Sequence, residues 1–377
     1  MESTNPFNPD KVVSPEQFLG REVQLEKMQQ LIETKSNILL YGNRRYGKTA
    51  LIKKCFSVQS NVLCIYIDVM EVTDAMHFAR LLFNGVQHAL PFHLRNTLEK
   101  MSRWFSKMSF KVGPNKAGDS LVFSPDMQDM GFEESLEVTF SGITRFITDN
   151  SEYTHCVIAI DEFQQVSQIK EEKVDAILRK ISQVSEEVSF IFSGSKKNLL
   201  RAMMMSPDAP FYQMVTPIYI EGIEEERLHK YCNELLQAEI DEDAFQILYQ
   251  WMRGTTKLIL TVCRDLWWKQ ASTYSLIDIR ETVEDMINLY GDTYNDLITG
   301  LTPLQRKALL IIQMAKCDGV FNSKLLNEFN ITKQSLNQVL EKFIKNDVVS
   351  KHAQGEYVIN DTLFALWIEM NLIEGDR

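Results

Sequence analysis

The stretch Gly42-Asn43-Arg44-Arg45-Tyr46-Gly47-Lys48-Thr49 constrains this chain more than any other. It stands between the apolar run "NILLY" and the helix-forming "ALIKKCF". Glycine lets a backbone curl so that successive N–H groups point inward. Where a strand passes into a helix, such a curl makes a cradle for phosphate oxygens, and the helix dipole favours the anion. The spacing therefore predicts that Gly42, Asn43, Arg44, Arg45, Tyr46, Gly47, Lys48, Thr49 and Ala50 surround the phosphates of ATP or ADP. Lys48 is then placed to reach the β- and γ-phosphates, and Thr49 to offer its hydroxyl to Mg²⁺. Arg44 and Arg45 can add charge beside the phosphates; the alternatives are a solvated loop residue or a pair with an acid elsewhere.

A cradle of this kind needs a metal-holding acid on a neighbouring strand, and "VIAIDE" supplies one. Asp161 closes an apolar run, so it is the expected Mg²⁺ ligand with Thr49. Glu162 follows, placed to orient or deprotonate a water against the γ-phosphate. In isolation the same pair reads as a solvated strand end or a helix cap. The next strand, "FIFSGSKKN", ends in Ser193 and Ser195. Either hydroxyl can sense the γ-phosphate or align the water; otherwise the stretch is a strand-to-helix turn with a serine cap. Asp68 ends "NVLCIYID" and reads as a strand-end residue rather than a ligand.

Apolar strands alternate with helical segments through "NILLY", "NVLCIYIDV", "HCVIAIDE", "VSFIFSGS" and "PIYIEG". Leu25, Met28, Leu31 and Ile32 mark a helix before the first strand, and Asp74 is a natural N-cap for a helix after the second. Continuous apolar strands between helices predict a parallel sheet covered on both faces, an α/β three-layer P-loop NTPase core. We expect this core over 1–220. An insertion over about 91–135 is expected on its outside, with a hairpin in "FKVGPNKAGDSLVFS". Residues 221–300 read as a helical lid. From 301 to 377 three helices and the hairpin-like "SKHAQGEYVIND" predict a winged helix-turn-helix. There is no internal repeat.

A net charge of −11 over 377 residues argues against broad attraction to nucleic acid or to an anionic membrane. Six scattered cysteines without a CxxC pair suit buried thiols in a reducing compartment. With no secretory signal and no long apolar run, a cytoplasmic location is expected and no membrane partner. In the third C-terminal helix, Thr332 is the expected cap, and Lys333, Gln334, Asn337 and Gln338 are expected to be exposed toward a duplex DNA groove. Against this, residues 301–377 hold nine Lys/Arg and nine Asp/Glu, a local formal charge of zero, whereas phosphate-binding domains carry excess base. A winged helix docking a protein is the other reading. Leu363, Phe364 and Trp367 are expected to pack on the chain's own core, and Trp267-Trp268 and Met203-Met204-Met205 to be core or interface filler.

The segments "FLGREVQLEKMQQLI…NILLYGNRRYGKTALI", "VIAIDEFQQV", "FIFSGS", "APFYQM" and "YVINDTLFALWIEMN" resemble the prokaryotic AAA+-type ATPases described as predominantly archaeal, which are close to the signal-transducing STAND group. The resemblance runs in order over nearly the whole chain. It implies a core, a helical lid and a winged helix, similar in fold to origin-recognition ATPases. It implies that Gly20 and Arg21 of the "FLGRE" box lie near the adenine, and that Gly254 is the lid glycine approaching the nucleotide. The family's Gly-His is Gly254-Thr255 here. The family's basic residue near "DAPFYQM" is also missing, which leaves Arg201 as the nearest candidate for an arginine finger. Some relatives continue into a nuclease-like domain; with the chain ending at Arg377, no nuclease activity is expected. The preferred reading is a Mg²⁺-dependent ATP-binding and slowly ATP-hydrolysing switch that repositions the winged helix, with a protein partner and a homo-oligomer as further candidates. A DNA-loaded AAA+ machine and a non-catalytic nucleotide-binding scaffold are the alternatives.

Overall fold

A computed structural model describes residues 5–9, 18–91, 98–105, 109–114, 121–126, 130–315, 319–352 and 355–373. The described residues fall into two compact units, one of residues 18–221 and the other of 5–9 with 222–373.

The first unit is built on five strands: β1 (Ile38–Gly42), β2 (Val62–Asp68), β5 (His155–Asp161), β6 (Val188–Gly194) and β7 (Thr216–Ile220). Between β2 and β5 the chain also forms β3 (Ser109–Pro114) and β4 (Leu121–Asp126), an antiparallel pair from Ser109↔Asp126 to Pro114↔Leu121. The five-stranded sheet has the order β2-β5-β6-β1-β7 with every neighbouring pair parallel. Alternating side chains face opposite layers. Ile38 and Leu40 of β1, Val157 and Ala159 of β5 and Ile191 of β6 meet Met28, Ile32, Leu51, Ile52 and Cys55 on one side. Leu39, Ile158, Ile160, Phe190 and Phe192 face the other, against the helices Ala75–Ala89, Phe132–Asp149, Val174–Val184 and Lys197–Met205. This is the three-layer α/β core expected of the sequence.

The caps follow the chemistry of the chain. Asp74 accepts from His77 N at the start of Ala75–Ala89, and Thr332 accepts from Ser335 N at the start of Lys333–Lys345. Within 91–135, Met101, Trp104, Phe105 and Phe132 are buried in the same cluster as β2 and β6. That part of the segment is therefore core, because its apolar side chains cover a face the sheet would otherwise expose. The turn between β3 and β4 lies outside the described residues.

In the second unit, helices Glu225–Leu236, Glu242–Trp251, Thr256–Trp267 and Leu276–Asn288 accompany a two-residue parallel pairing of β8 (Glu239–Ile240) with β9 (Thr273–Tyr274). The C-terminal part has helices Pro303–Ala315, Ser323–Glu328 and Lys333–Lys345, followed by β10 (Val349–Lys351) and β11 (Tyr357–Ile359) paired antiparallel, a winged helix. The last helix, Thr362–Ile368, sets Phe364 and Trp367 against Tyr294 at ring separations of 5.2 and 6.0 Å. Met204 is buried as expected, whereas Trp268 is largely exposed. Cys55, Cys156, Cys232 and Cys263 are buried thiols, while Cys317 lies outside the described residues. No helix among the described residues is long and apolar enough to cross a membrane.

Gly85 lets Ala75–Ala89 approach β2: a Cβ there would stand 2.4 Å from Ile67 Cγ2. Overpacking of this kind costs about 1–3 kcal/mol, against a helix-propensity gain of about 1 kcal/mol for glycine to alanine. Gly85→Ala is expected to lower stability by about 1–2 kcal/mol, read as a lower denaturant midpoint with an unchanged slope. A stabilised protein would contradict this packing.

Candidate functional site

The polar residues of the first unit gather at the C-terminal ends of β1, β5 and β6, where open parallel sheets place their sites. Between β1 and the helix Lys48–Ser57 the loop has two left-handed residues, Arg45 (φ 69°) and Gly47 (φ 85°). Such turns aim successive N–H groups into one concavity. Gly42 is held by a different constraint: a Cβ there would meet the Ile220 carbonyl of β7 at 2.4 Å. Arg44 and Arg45 are exposed, Tyr46 is buried, and Ala50 lies in the first turn of the helix.

Lys48 is buried and folds back over the loop, its Nζ donating to Gly42 O at 3.1 Å and Asn43 O at 2.9 Å. Two carbonyls hold the ammonium where an anion inside the loop would compete for it. Burial pulls the Lys48 pKa down to about 8, while the carboxylates of Glu162 and Asp161 oppose that shift. Lys197 and Arg44 press in the same direction as burial.

Thr49 Oγ1 donates to Asp161 Oδ2 at 2.6 Å. The same oxygen accepts from Tyr66 OH at 3.0 Å, and Asp161 Oδ1 accepts from Glu162 N at 3.1 Å. Burial and the adjacent Asp161 push the Tyr66 phenol well above its ordinary range. Asp68, across from Asp161 in the β2–β5 register, accepts from Met70 N and so closes its own strand turn. Its pKa is raised by partial burial. A hydroxyl and a carboxylate oxygen in contact form a hard-oxygen pair of the type Mg²⁺ takes, since that ion keeps several waters and uses one or two protein ligands. No group of three or more metal-ligating His, Cys, Asp or Glu exists among the described residues.

Glu162 has a left-handed backbone (φ 55°) that turns its side chain out of the strand direction. Its Oε2 accepts from Ser195 Oγ at 3.1 Å and from Gln164 Nε2. Ser193 is fully buried and its hydroxyl has no partner among the described residues. The two serines thus differ: one engages Glu162, the other points into the interior. Lys197 sits over the Tyr219 ring with Nζ 4.6 Å from the centroid and bonded to its hydroxyl. Burial lowers its pKa.

Gly20 has φ 74°, which a turn into the helix Glu22–Glu33 requires, and Arg21 is buried. The Arg21 guanidinium donates to Tyr46 O at 2.9 Å and to Glu221 O, so it braces the phosphate loop against the end of β7. Gly254 belongs to the other unit, where it takes φ 64° and packs against Tyr249. Arg201 is exposed in the helix Lys197–Met205. Tyr66, Gln164 and Lys197 are members of the cluster that no motif announces. Only Tyr66 left a trace in the sequence, as a polar-tipped residue in the apolar run of β2.

Residues 18–262 match the family model described as "ATPase domain predominantly from Archaea", and residues 292–370 match a probable winged helix domain. No curated protein sequence matches the chain. Among solved structures, a Walker-type ATPase of Pyrococcus abyssi is similar with a TM-score of 0.64 at 15% identity, over 94% of this chain and 97% of that one. The Aeropyrum pernix ORC2 protein, solved in ADPNP–ADP complexes, is similar with a TM-score of 0.56 at 11% identity, over 98% of each chain. These likenesses show the fold, a P-loop ATPase core with a C-terminal winged helix.

A triphosphate in the loop favours the charged form of Lys48, whereas the ligand-free protein loses that proton above pH of about 8. Affinity for ATP is therefore expected to be flat below pH 8 and to fall above it by up to about tenfold per pH unit. The check is titration of a fluorescent ATP analogue from pH 7 to 9.5. Lys48→Arg, whose guanidinium stays charged throughout, is expected to abolish the slope.

Proposed function

We propose that this chain, which belongs to the family of ATPase domains described as predominantly from Archaea, binds ATP with Mg²⁺ at the β1–β5–β6 edge and hydrolyses it slowly as a molecular switch. The observation that carries this reading is the 2.6 Å contact between Thr49 Oγ1 and Asp161 Oδ2 beside the glycine loop that holds Lys48. The loop amides and Lys48 take the phosphates, and Arg21 keeps the loop in place through the Tyr46 carbonyl. Thr49 and Asp161 would hold Mg²⁺, with Tyr66 still donating to the aspartate once Thr49 turns to the metal. Bound there, the ion neutralises charge on the transferring phosphoryl group. Glu162 takes a proton from the attacking water. Ser195, already within hydrogen-bond distance of Glu162, is the serine we assign to reporting the γ-phosphate. The buried hydroxyl of Ser193 does not share that contact.

The switch reading has its own support in the second unit, whose residues 222–300 we take as the lid and 301–377 as the winged helix. Arg253, beside the left-handed Gly254, donates from Nη1 to Ile359 O of β11 at 2.7 Å. A change in the Gly254 turn is thus felt by the wing directly. Lys333, Gln334 and Asn337 are exposed on the helix Lys333–Lys345. Asn337 is already engaged with Glu341 at 2.8 Å, and the segment has no excess of base. We therefore favour a protein partner over duplex DNA.

Lys48→Ala is expected to abolish nucleotide binding. Glu162→Gln is expected to keep binding while phosphate release falls by about 10²-fold or more. Light scattering of the parent and Glu162→Gln proteins with ATP, with ADP and with duplex DNA reads assembly in the same samples. Unchanged hydrolysis in Glu162→Gln would leave a nucleotide-binding scaffold, and ATP-dependent DNA binding with a steep salt slope would favour the DNA-loaded machine.

A further inference from the structure

Gln164 lies two residues beyond Glu162 in the short 3-10 turn Phe163–Gln168 and is only 2% exposed. A carboxylate accepts hydrogen bonds and donates none, so the amide must meet Glu162 through its NH₂. That contact, Gln164 Nε2 to Glu162 Oε2, decides where the other end of the amide goes. Gln164 Oε1 is turned into the interior against Gly194, where an added Cβ would lie 1.9 Å from it. There it has no hydrogen-bond partner among the described residues.

A buried carbonyl without a donor destabilises the fold, and an apolar side chain of equal length would not carry that burden. Packing alone thus favours methionine or leucine at this position. The same neighbourhood contains the left-handed Glu162 backbone and the absent Cβ of Gly194, both of which serve to bring the amide and the carboxylate together. Ser195 Oγ and Gln164 Nε2 both engage Oε2. Among the described residues none engages Glu162 Oε1, which leaves that oxygen to accept from water.

We propose that Gln164 is a positioning residue for hydrolysis: it grips Glu162 by one carboxylate oxygen so that the other is presented to the attacking water. The proposal rests on Glu162 being the water-activating residue. Gln164 touches neither phosphate nor metal in this account and acts only through Glu162.

The test uses the full chain with Gln164→Met, which keeps length, removes the donor and removes the orphaned carbonyl. Hydrolysis measured as phosphate release is expected to drop in kcat by about 10- to 100-fold, with KM and the affinity for a fluorescent ATP analogue within twofold of the parent. The melting temperature is expected to stay level or rise, which a packing role would not produce. In a Glu162→Gln background, Gln164→Met is expected to cause no further loss. Gly194→Ala, which displaces the amide without altering it, is expected to reproduce the kcat defect. Hydrolysis within twofold of the parent, a melting temperature that falls with activity, or an additional loss in the Glu162→Gln background would each overturn the proposal. Should Glu162→Gln itself leave hydrolysis intact, the water-activating assignment falls and this proposal with it. A Glu162→Gln loss without a Gln164→Met loss overturns the role of Gln164 alone.

Discussion

A hydroxyl in the first turn of a helix meets a carboxylate at the end of a strand at 2.6 Å, and the layout of the first unit follows from that meeting. Thr49 and Asp161 are separated by 112 positions, and β1 does not pair with β5. They meet because β6 lies between those strands in parallel register, so all three C-terminal ends open on the same edge. The helix Lys48–Ser57 then crosses one face, where Leu51, Ile52 and Cys55 pack with Ile38, Leu40, Val157 and Ala159. That apolar layer fixes the helix axis, and the axis fixes where its N-terminus points. Gly42 lets β1 lie directly against the Ile220 carbonyl, and Arg21 ties the loop to Glu221, so both ends of the loop are anchored in backbone.

Elsewhere in this core buried polarity is sparse: Ser135 and Thr139 bond back to their own helix, while His155 Nε2 and Ser189 Oγ have no partner among the described residues. At the sheet edge it is dense: Lys48, Asp161, Gln164 and Ser193 are all buried. Some of it is unsatisfied, since Gln164 Oε1 and Ser193 Oγ lack partners among the described residues. The ammonium of Lys48 is held by carbonyls of its own loop, and burial drags its pKa toward the neutral range. Of these features only the Lys48 ammonium would gain from an anion beside it. Local rules are broken where a site is built, and the apolar layers on either side supply the stability that tolerates it.

Continuous apolar runs made the sheet readable, because β1, β5 and β6 are buried on both faces and send odd and even residues to different helix layers. The caps Asp74 and Thr332 were legible for a local reason: their oxygens bond to backbone three residues ahead. The glycine loop is a local pattern too, whereas Asp161 and Glu162 drew their reading from that loop more than a hundred positions upstream. Gln164 was not legible, because its significance comes from Gly194 and Ser195, thirty residues away and on another strand. Tyr66 and Lys197 share that difficulty: the partner of each lies on a different strand, Asp161 on β5 and Tyr219 on β7. Met101, Trp104 and Phe105 sit in a stretch that looks inserted, since one crossover helix would suffice to join β2 to β5. Their helical spacing marks an apolar face, but that the face closes on the sheet's own core depends on partners far away in the chain.

The winged helix raises a different point about what a nucleotide can move. Tyr294 of the helix Gly291–Gly300 contacts both Phe364 and Trp367, and Arg253 holds the Ile359 carbonyl. These contacts bind the wing and the terminal helix to the helical region before them, inside one compact unit. A signal that freed the wing alone would have to break a buried aromatic cluster and a hydrogen bond made by a charged donor. Moving the unit as a body breaks neither. A ligand shifts an equilibrium only by its differential affinity for the two arrangements, so in the proposed switch the wing is carried together with the helices it packs on. The chain covalently crosses between units at Glu221–Gly222, directly after the carbonyl that Arg21 engages. The brace of the phosphate loop and the start of the second unit are thus neighbours in sequence.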